Sequence, residues 1–268
     1  LWGAAGYEAC NTKTNQEFER IFYKNEFASG IKHFSIYMTY GGTNWGNLGQ
    51  PTGYTSYDYG SAIKEDRTIT REKFSEAKLE VNFFKVATDY LVSVPENITT
   101  SYTNSADISI TPITNTNSKT KYWVARHTTY NSGSNTAYKL QNLPTSAGSL
   151  TIPQLSGSLS LNGLDTKIHV TDFKIGNVTL LYSTAEIFTV KVYSSYSVLI
   201  VYGGPGEQHE IGFSAAPSTK VLEGTGVTFG TKSGATILNW STTTSRQRIT
   251  IGGNLQLYIL GTCDSHIH

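Results

Sequence analysis

From about residue 98 to residue 260 the chain repeats one pattern, short runs of alternating β-branched or aromatic residues separated by glycine, asparagine and serine. Ile108-Ser-Ile110, Lys121-Tyr-Trp-Val-Ala-Arg126, Leu150-Thr-Ile152, Leu159-Ser-Leu161, Lys167-Ile-His-Val170, Phe188-Thr-Val-Lys-Val-Tyr193 and Val198-Leu-Ile-Val-Tyr202 all read as strands. Turn signals, among them Asn162-Gly163 and Gly203-Gly-Pro-Gly206, stand between them. A further β unit follows Ala215, with strands near Thr236–Trp240, Arg248–Ile251 and Leu255–Leu260. No fixed repeat period is present, so the expectation is mainly antiparallel β domains rather than a solenoid.

Ahead of Val94-Pro95-Glu96-Asn97 the pattern changes to helix, strand, loop, helix. Thr14-Asn-Gln-Glu17 has the form of a capping box, Phe18, Ile21 and Phe22 make an apolar stripe, and Gly30 is a C-terminal stop. Residues 31–40, Ile-Lys-His-Phe-Ser-Ile-Tyr-Met-Thr-Tyr, suit a buried strand in which His33 has a satisfied ring. A second helix is expected from about Thr70 to Tyr90. Phe74, Ala77, Val81 and Phe84 form one face of it, and Leu79, Phe83, Val86 and Tyr90 widen that face. This order is the repeating unit of a parallel α/β sheet or a (β/α)8 barrel. A buried parallel strand needs neighbours, and upstream there are only helix and loop, so the remaining strands are expected outside this sequence.

Between the strand and the second helix lie Gly41-Gly-Thr-Asn-Trp-Gly46 and Gly53-Tyr-Thr-Ser-Tyr-Asp-Tyr-Gly60. Asn44, Trp45, Tyr54, Tyr57 and Tyr59 set in glycine-rich backbone have the composition of a sugar site. Aromatic rings stack on the C–H faces of a pyranose, fixed donors and acceptors meet its hydroxyls, and glycine lets backbone come close. The same rings could instead cap the end of a sheet or barrel, which on composition alone is the commoner role. Glycoside hydrolysis with retention needs two carboxylates about 5 Å apart. Asp58 is the only acid inside the motif, and Glu65 and Asp66, flanked by Lys64 and Arg67, fit an exposed turn better than a catalytic pair.

Several function classes are excluded. With a net charge of +1 and 15% charged residues, the chain has no concentrated basic surface for nucleic acid. No apolar run approaches the roughly 18 residues that span a bilayer, and Leu1–Cys10 lacks the regions of a signal peptide. The six histidines, His33, His127, His169, His209, His266 and His268, show no zinc-type spacing, and Gly203–Gly206 lacks the lysine of a phosphate loop, so no metal or cofactor is expected. No serine nucleophile elbow is present. Asn97, Asn177 and Asn239 each begin an Asn-x-Ser/Thr acceptor, which suits a secreted glycoprotein. Cys10 and Cys263 lie near opposite ends and are expected to be unpaired.

The run Tyr37-Met-Thr-Tyr-Gly-Gly-Thr-Asn-Trp-Gly-Asn-Leu-Gly49, continuing through Gly53–Ile63 to Thr70-Arg-Glu-Lys73, closely resembles the secreted fungal β-galactosidases of glycoside hydrolase family 35. The likeness extends to Leu143–Gly148, Lys167–Asp172, Leu181–Glu186 and Gly203–Glu210. It implies an α+β multidomain chain: the C-terminal part of a (β/α)8 barrel over residues 1–94, holding the seventh helix, eighth strand and eighth helix, then β domains at 95–214 and 215–260. Residues 261–268 depart from the family and look like an aberrant tail. The implied activity is removal of terminal β-linked galactose with retention. Trp2-Gly3 resembles a pair just after the family's nucleophile, which implies that both catalytic glutamates lie upstream of residue 1, that no glutamate here takes their roles, and that these residues alone are inactive. Tyr59 corresponds to a tyrosine that contacts galactose, with Tyr57, Asp58, Trp45 and Asn44 supporting the loop. Cys10 corresponds to a cysteine bonded to an upstream partner. The implied ligand is galactose or a β-galactoside, bound weakly or not at all by these residues alone, and the implied location is extracellular. The alternative reading is a non-catalytic galactose- or glycan-binding β module.

Overall fold

The structure is a computed structural model that describes residues 7–49, 55–69, 71–215 and 217–262. Two helices, α1 (Tyr7–Lys13) and α2 (Gln16–Ala28), meet at Asn15. Asn15 caps α2 in place of the expected Thr14, its Oδ1 accepting from the Phe18 amide at 3.1 Å. Thr14 is committed to α1, whose last turn takes both its amide and its hydroxyl to the carbonyl of Cys10. At the other end Gly30 has φ +86°. Its amide donates to Phe27 O and that of Ile31 to Glu26 O, the paired bonds of a Schellman stop.

The inward face of α2 is not the expected one. Glu19, Lys24, Phe27 and Ala28 are buried, whereas Phe18 and Phe22 are 48% and 44% exposed and, with Ile21, border a groove of about 800 Å³ facing Tyr130 and Leu164. Helix α3 (Glu72–Val86) buries Leu79 and Phe83 of its expected face, with two glutamates beside them. Glu76, Leu79, Glu80 and Phe83 point inward and Val81 is exposed, with Ala87 and Tyr90 continuing the buried line beyond it. Apolar periodicity misplaced the inward face of α2 and missed the glutamates on that of α3, because charged side chains lie among the apolar ones on both.

Residues 31–40 do not form a strand, and none of them is buried. Tyr40 makes a lone parallel bridge to Ile63, and His33 is exposed in irregular backbone. A buried strand needs a hydrogen-bonded neighbour, and among the described residues this segment has only that single bridge.

The rest is β structure. The strands are β1 (Gly42–Thr43), β2 (Ser56–Tyr57), β3 (Val94–Pro95), β4 (Ile108–Thr114), β5 (Lys121–His127), β6 (Asn135–Tyr138), β7 (Leu140–Thr145), β8 (Gly148–Ile152), β9 (Leu159–Asn162) and β10 (Thr166–Ile175). They continue with β11 (Val178–Ser183), β12 (Glu186–Val192), β13 (Ser197–Gly203), β14 (Gln208–Phe213), β15 (Thr219–Glu223), β16 (Val227–Lys232), β17 (Ala235–Ser241), β18 (Gln247–Ile251) and β19 (Leu255–Gly261). An eight-stranded sheet runs β16-β17-β14-β11-β10-β5-β4-β3 and a five-stranded sheet β12-β13-β19-β18-β15. All the strand pairs are antiparallel except β13 with β19. The strands after Ala215 are shared between the two sheets, so the expected separate unit at 215–260 has no counterpart in the pairing.

The eight-stranded sheet is covered on both faces. Tyr122 and Val124 of β5 face a core shared with Ile168, with Leu199 and Leu257 of the five-stranded sheet, and with Phe27, Phe83 and Tyr90 of the helical segment. Trp123 and Ala125 face a second core with Leu140, Leu150 and Leu161 under the β6–β9 and β7–β8 ribbons. The Gly203-Gly-Pro-Gly206 run is a turn, with Glu207 N donating to Gly204 O at 3.1 Å, Pro205 in the corner and Gly206 at φ +75°. A Cβ on Gly203 would stand 2.2 Å from His209 Nε2, so only glycine fits.

Phe27 ties the helices to the sheets. Fully buried, it stacks on Tyr90 at 3.7 Å and on Phe84 at 5.4 Å and meets Tyr122 edge-on at 5.5 Å. Truncating it leaves a cavity in that shared core. Phe27→Ala should lower the unfolding free energy by about 3–5 kcal/mol, measured by urea denaturation.

Candidate functional site

The aromatic loop is built on a minimal ribbon. β1 pairs with β2 through Gly42 opposite Tyr57 and Thr43 opposite Ser56, and Asn44 N extends it by donating to Thr55 O at 2.7 Å. Gly41 N donates to Ile63 O and Ile63 N to Thr39 O, which closes the base of the loop. A Cβ on Gly41 would come within 2.9 Å of Glu65 N, so this approach of two backbones requires glycine.

Asp58 organises the far side. It is fully buried; Oδ1 accepts from Gly60 N at 3.1 Å and from Arg71 Nη1 at 2.6 Å, and Oδ2 accepts from Glu65 N at 3.0 Å. Arg71 Nη1 also donates to Ser61 O at 2.7 Å, so one ion pair fixes the chain from Asp58 to Glu65 to the start of α3. The next two residues are left-handed, Tyr59 at φ +55° and Gly60 at φ +72°. For tyrosine that conformation is uncommon and costs about 1 kcal/mol or more, held here by the Asp58 bonds.

That backbone directs the rings. Tyr57 and Tyr59 meet edge to face at 4.8 Å, and the Tyr57 hydroxyl lies 2.7 Å from that of Tyr37. Their hydrogen bond raises the pKa of the Tyr37 phenol. Trp45, in a 3₁₀ turn at Trp45–Asn47, is 77% exposed, and Asn44, immediately before it, is half-buried. Arg67 donates to the carbonyl of Gly41 and sits 5.0 Å over the Tyr40 ring. The structure thus brings Tyr57, Asp58 and Tyr59 together and places Asn44 and Trp45 on the adjoining turn. Tyr54 lies outside the described residues, as do Trp2, Gly3 and Cys263; Cys10 is a buried free thiol.

Sequence reading missed Tyr37, Tyr40, Arg67 and Arg71. Arg71 carried no local signal, since it lies 13 residues beyond Asp58 with Lys64 and Arg67 between them. Among the carboxylates near the loop, Glu65 accepts from Thr43 Oγ1 at 3.2 Å and Asp66 is held below the usual carboxylate range by Thr68. Asp66 is exposed, as expected for a turn.

The second stretch of motifs is structural. Buried Lys167 contacts Asp165 at 2.9 Å and Glu207 at 3.1 Å; burial alone would lower its pKa, but the two carboxylates raise it. Glu210 accepts from the amides of Gln154 and Leu155, from Tyr182 Oη at 2.7 Å and from Asn239 Nδ2 at 3.1 Å. Asn239 is therefore no surface acceptor: its amide is 4% exposed and fully engaged in β17, whereas Asn97 and Asn177 are exposed.

Two family profiles match consecutive stretches of the chain. The profile described as glycosyl hydrolases family 35 matches residues 1–84, and that described as β-galactosidase, domain 2, matches residues 92–265. The chain belongs to the β-galactosidases of glycosyl hydrolase family 35. It is 50% identical over 263 residues to β-galactosidase A of a Penicillium species and 49% identical over 262 residues to β-galactosidase A of Aspergillus niger. Each alignment covers 97% of this chain and 26% of the relative, so the chain spans about a quarter of the length of these proteins.

Removal of the buried acid tests the loop. Asp58→Ala removes the carboxylate that Arg71 and two amides share. The change should destabilise residues 58–65 by about 3–5 kcal/mol, read as faster hydrogen exchange at the Gly60 and Glu65 amides.

Proposed function

We propose that residues 37–49 and 55–60 form one wall of the galactose pocket of a retaining β-galactosidase, with Tyr59 touching the sugar and Tyr57, Asp58, Trp45 and Asn44 shaping the loop that presents it. The observation that carries this reading is the left-handed turn at Tyr59-Gly60, locked by buried Asp58 and Arg71, which holds a half-buried tyrosine beside exposed aromatic rings. Such a rigid aromatic platform on a glycine backbone is what a pyranose face requires. In this reading residues up to about 94 are the end of a (β/α)8 barrel, and those that follow are the β region that supports it.

In the same reading these residues do not hydrolyse galactosides alone. Retention needs a nucleophile and an acid/base about 5 Å apart and open to substrate. Asp58 is spent on Arg71 and two amides, and Glu65 on Thr43. The purified chain should give no turnover of a nitrophenyl β-galactoside, and measurable turnover refutes this. Calorimetry separates the alternative of a glycan-binding module. Weak or absent heat with millimolar galactose fits a partial pocket, whereas saturable binding abolished by Tyr59→Ala assigns the chain a binding function of its own.

As a secreted protein it should carry glycans at Asn97 and Asn177 and none at Asn239. Peptide mass spectrometry after enzymatic deglycosylation in oxygen-18 water reads each site, and a glycan at Asn239 contradicts the buried amide.

A further inference from the structure

Where α2 and α3 pack on β10 and β12, every nearby cation already has a partner. Arg20 donates to Glu76 at 2.6 Å and stands 3.9 Å from Asp165; Lys24 contacts Glu186 at 2.7 Å and Thr166 O at 2.9 Å; Lys73 donates to Gly60 O at 3.3 Å. Two further carboxyl groups are buried here, Glu80 at this interface and Glu19 beside Lys73 and Glu76 of α3. Glu80 is 3% exposed and neither of its oxygens has a partner; Glu19 is 2% exposed and its Oε2 has none. Glu80 lines a cavity of about 10 Å³, the size of one water molecule, together with Lys24, Glu186, Phe83 and Tyr202. The charged and titratable groups around the two acids are Arg20, Tyr23 and Lys24 from α2, Lys73 and Glu76 from α3, and Asp165, Glu186 and Tyr202 from the β body.

We infer that this interface is a proton-held lock, in which Glu19 and Glu80 close as neutral acids, Glu80 against one buried water, and the helix pair loosens from the sheets when they ionise. A buried carboxylate without a counter-ion is costly, whereas a neutral carboxyl can share its proton with a water or a neighbouring carboxylate. Burial, opposed by Lys73 and reinforced by Glu76, raises Glu19 to about 7; burial, with Glu76, Glu19 and Glu186 outweighing Lys24, raises Glu80 well above 4.5. The sign follows from the raised folded values. Below the unfolded value of 4.5 the lock has full strength, and it weakens as the pH rises toward and past 7, up to about tenfold per pH unit for each proton released. His169 acts oppositely: burial lowers it to about 3, so the β body loses stability as the pH falls below 6.5. The readout must therefore be opening of the helices and not global unfolding.

Hydrogen exchange of the α2 and α3 amides in the whole chain, corrected for the intrinsic rate, tests this between pH 5 and pH 7.5. The opening constant should rise at least tenfold in the parent chain and stay flat in Glu19→Gln/Glu80→Gln, while the exposed control Glu72→Gln keeps the parent slope. An unchanged slope in the double variant, or none in the parent, overturns the lock. Should the double variant fail to fold, infrared difference spectra of the parent decide. A protonated-carboxyl band that titrates away with helix opening supports the lock, and absence of that band at pH 5 overturns it.

Discussion

Lys24 is the pin on which the arrangement of helices and sheets turns. Its ammonium is 2% exposed and joins three elements, leaving α2 to reach Glu186 on β12 and the first carbonyl of β10. Glu186 in turn accepts from Ile168 N at 3.0 Å, so the pair also fixes the edge from which β10 crosses the large sheet. A buried ion pair is no guarantee of stability, since desolvation offsets much of the attraction, but it is specific. Any rotation of α2 strands two charges without water. That constraint explains why α2 presents Glu19, Lys24 and Phe27 inward and leaves Phe18 and Phe22 outside.

Asp58 applies the same principle on a smaller scale. One buried acid gathers one guanidinium and two amides, and the cost of a left-handed tyrosine is met by those bonds. The aromatic rings are thereby held by backbone geometry that a short ribbon of two-residue strands could not maintain by itself. The motif's polar residues thus divide into those that hold the loop and those that face outward from it.

Much of this was legible in the sequence. The strands at Lys121–His127, Ser197–Gly203 and Leu255–Gly261 announced themselves through β-branched alternation, and Gly30 marked the end of α2. The family emerged from the Gly41–Gly46 and Gly53–Gly60 runs. Other features stayed hidden for physical reasons. Thr219–Glu223 and Val227–Lys232 are largely exposed edge strands, with no burial to impose a pattern, and Gln208–Phe213 carries buried His209 and Glu210, whose polarity masks a central strand. Residues 31–40 read as a buried strand because composition reports what a segment could bury, not whether neighbours are present to bury it. In the candidate site Asp58 and Tyr59 were visible as motif letters, but the Arg71 contact depends on chain reversal that no local pattern encodes.

The parallel pairing of β13 with β19 sets an order of events. β19 is made after every other strand described, yet it lies at the centre of its sheet, between β13 and β18. Until it arrives, β12 and β13 have no link to β18 and β15, and a face rich in leucine, isoleucine and valine waits uncovered during synthesis. The sheet is therefore completed from the middle, by the last of the described strands. A cut between Ile251 and Leu255 would remove its keystone and leave β13 and β18 as two separate edges, each able to recruit a foreign strand.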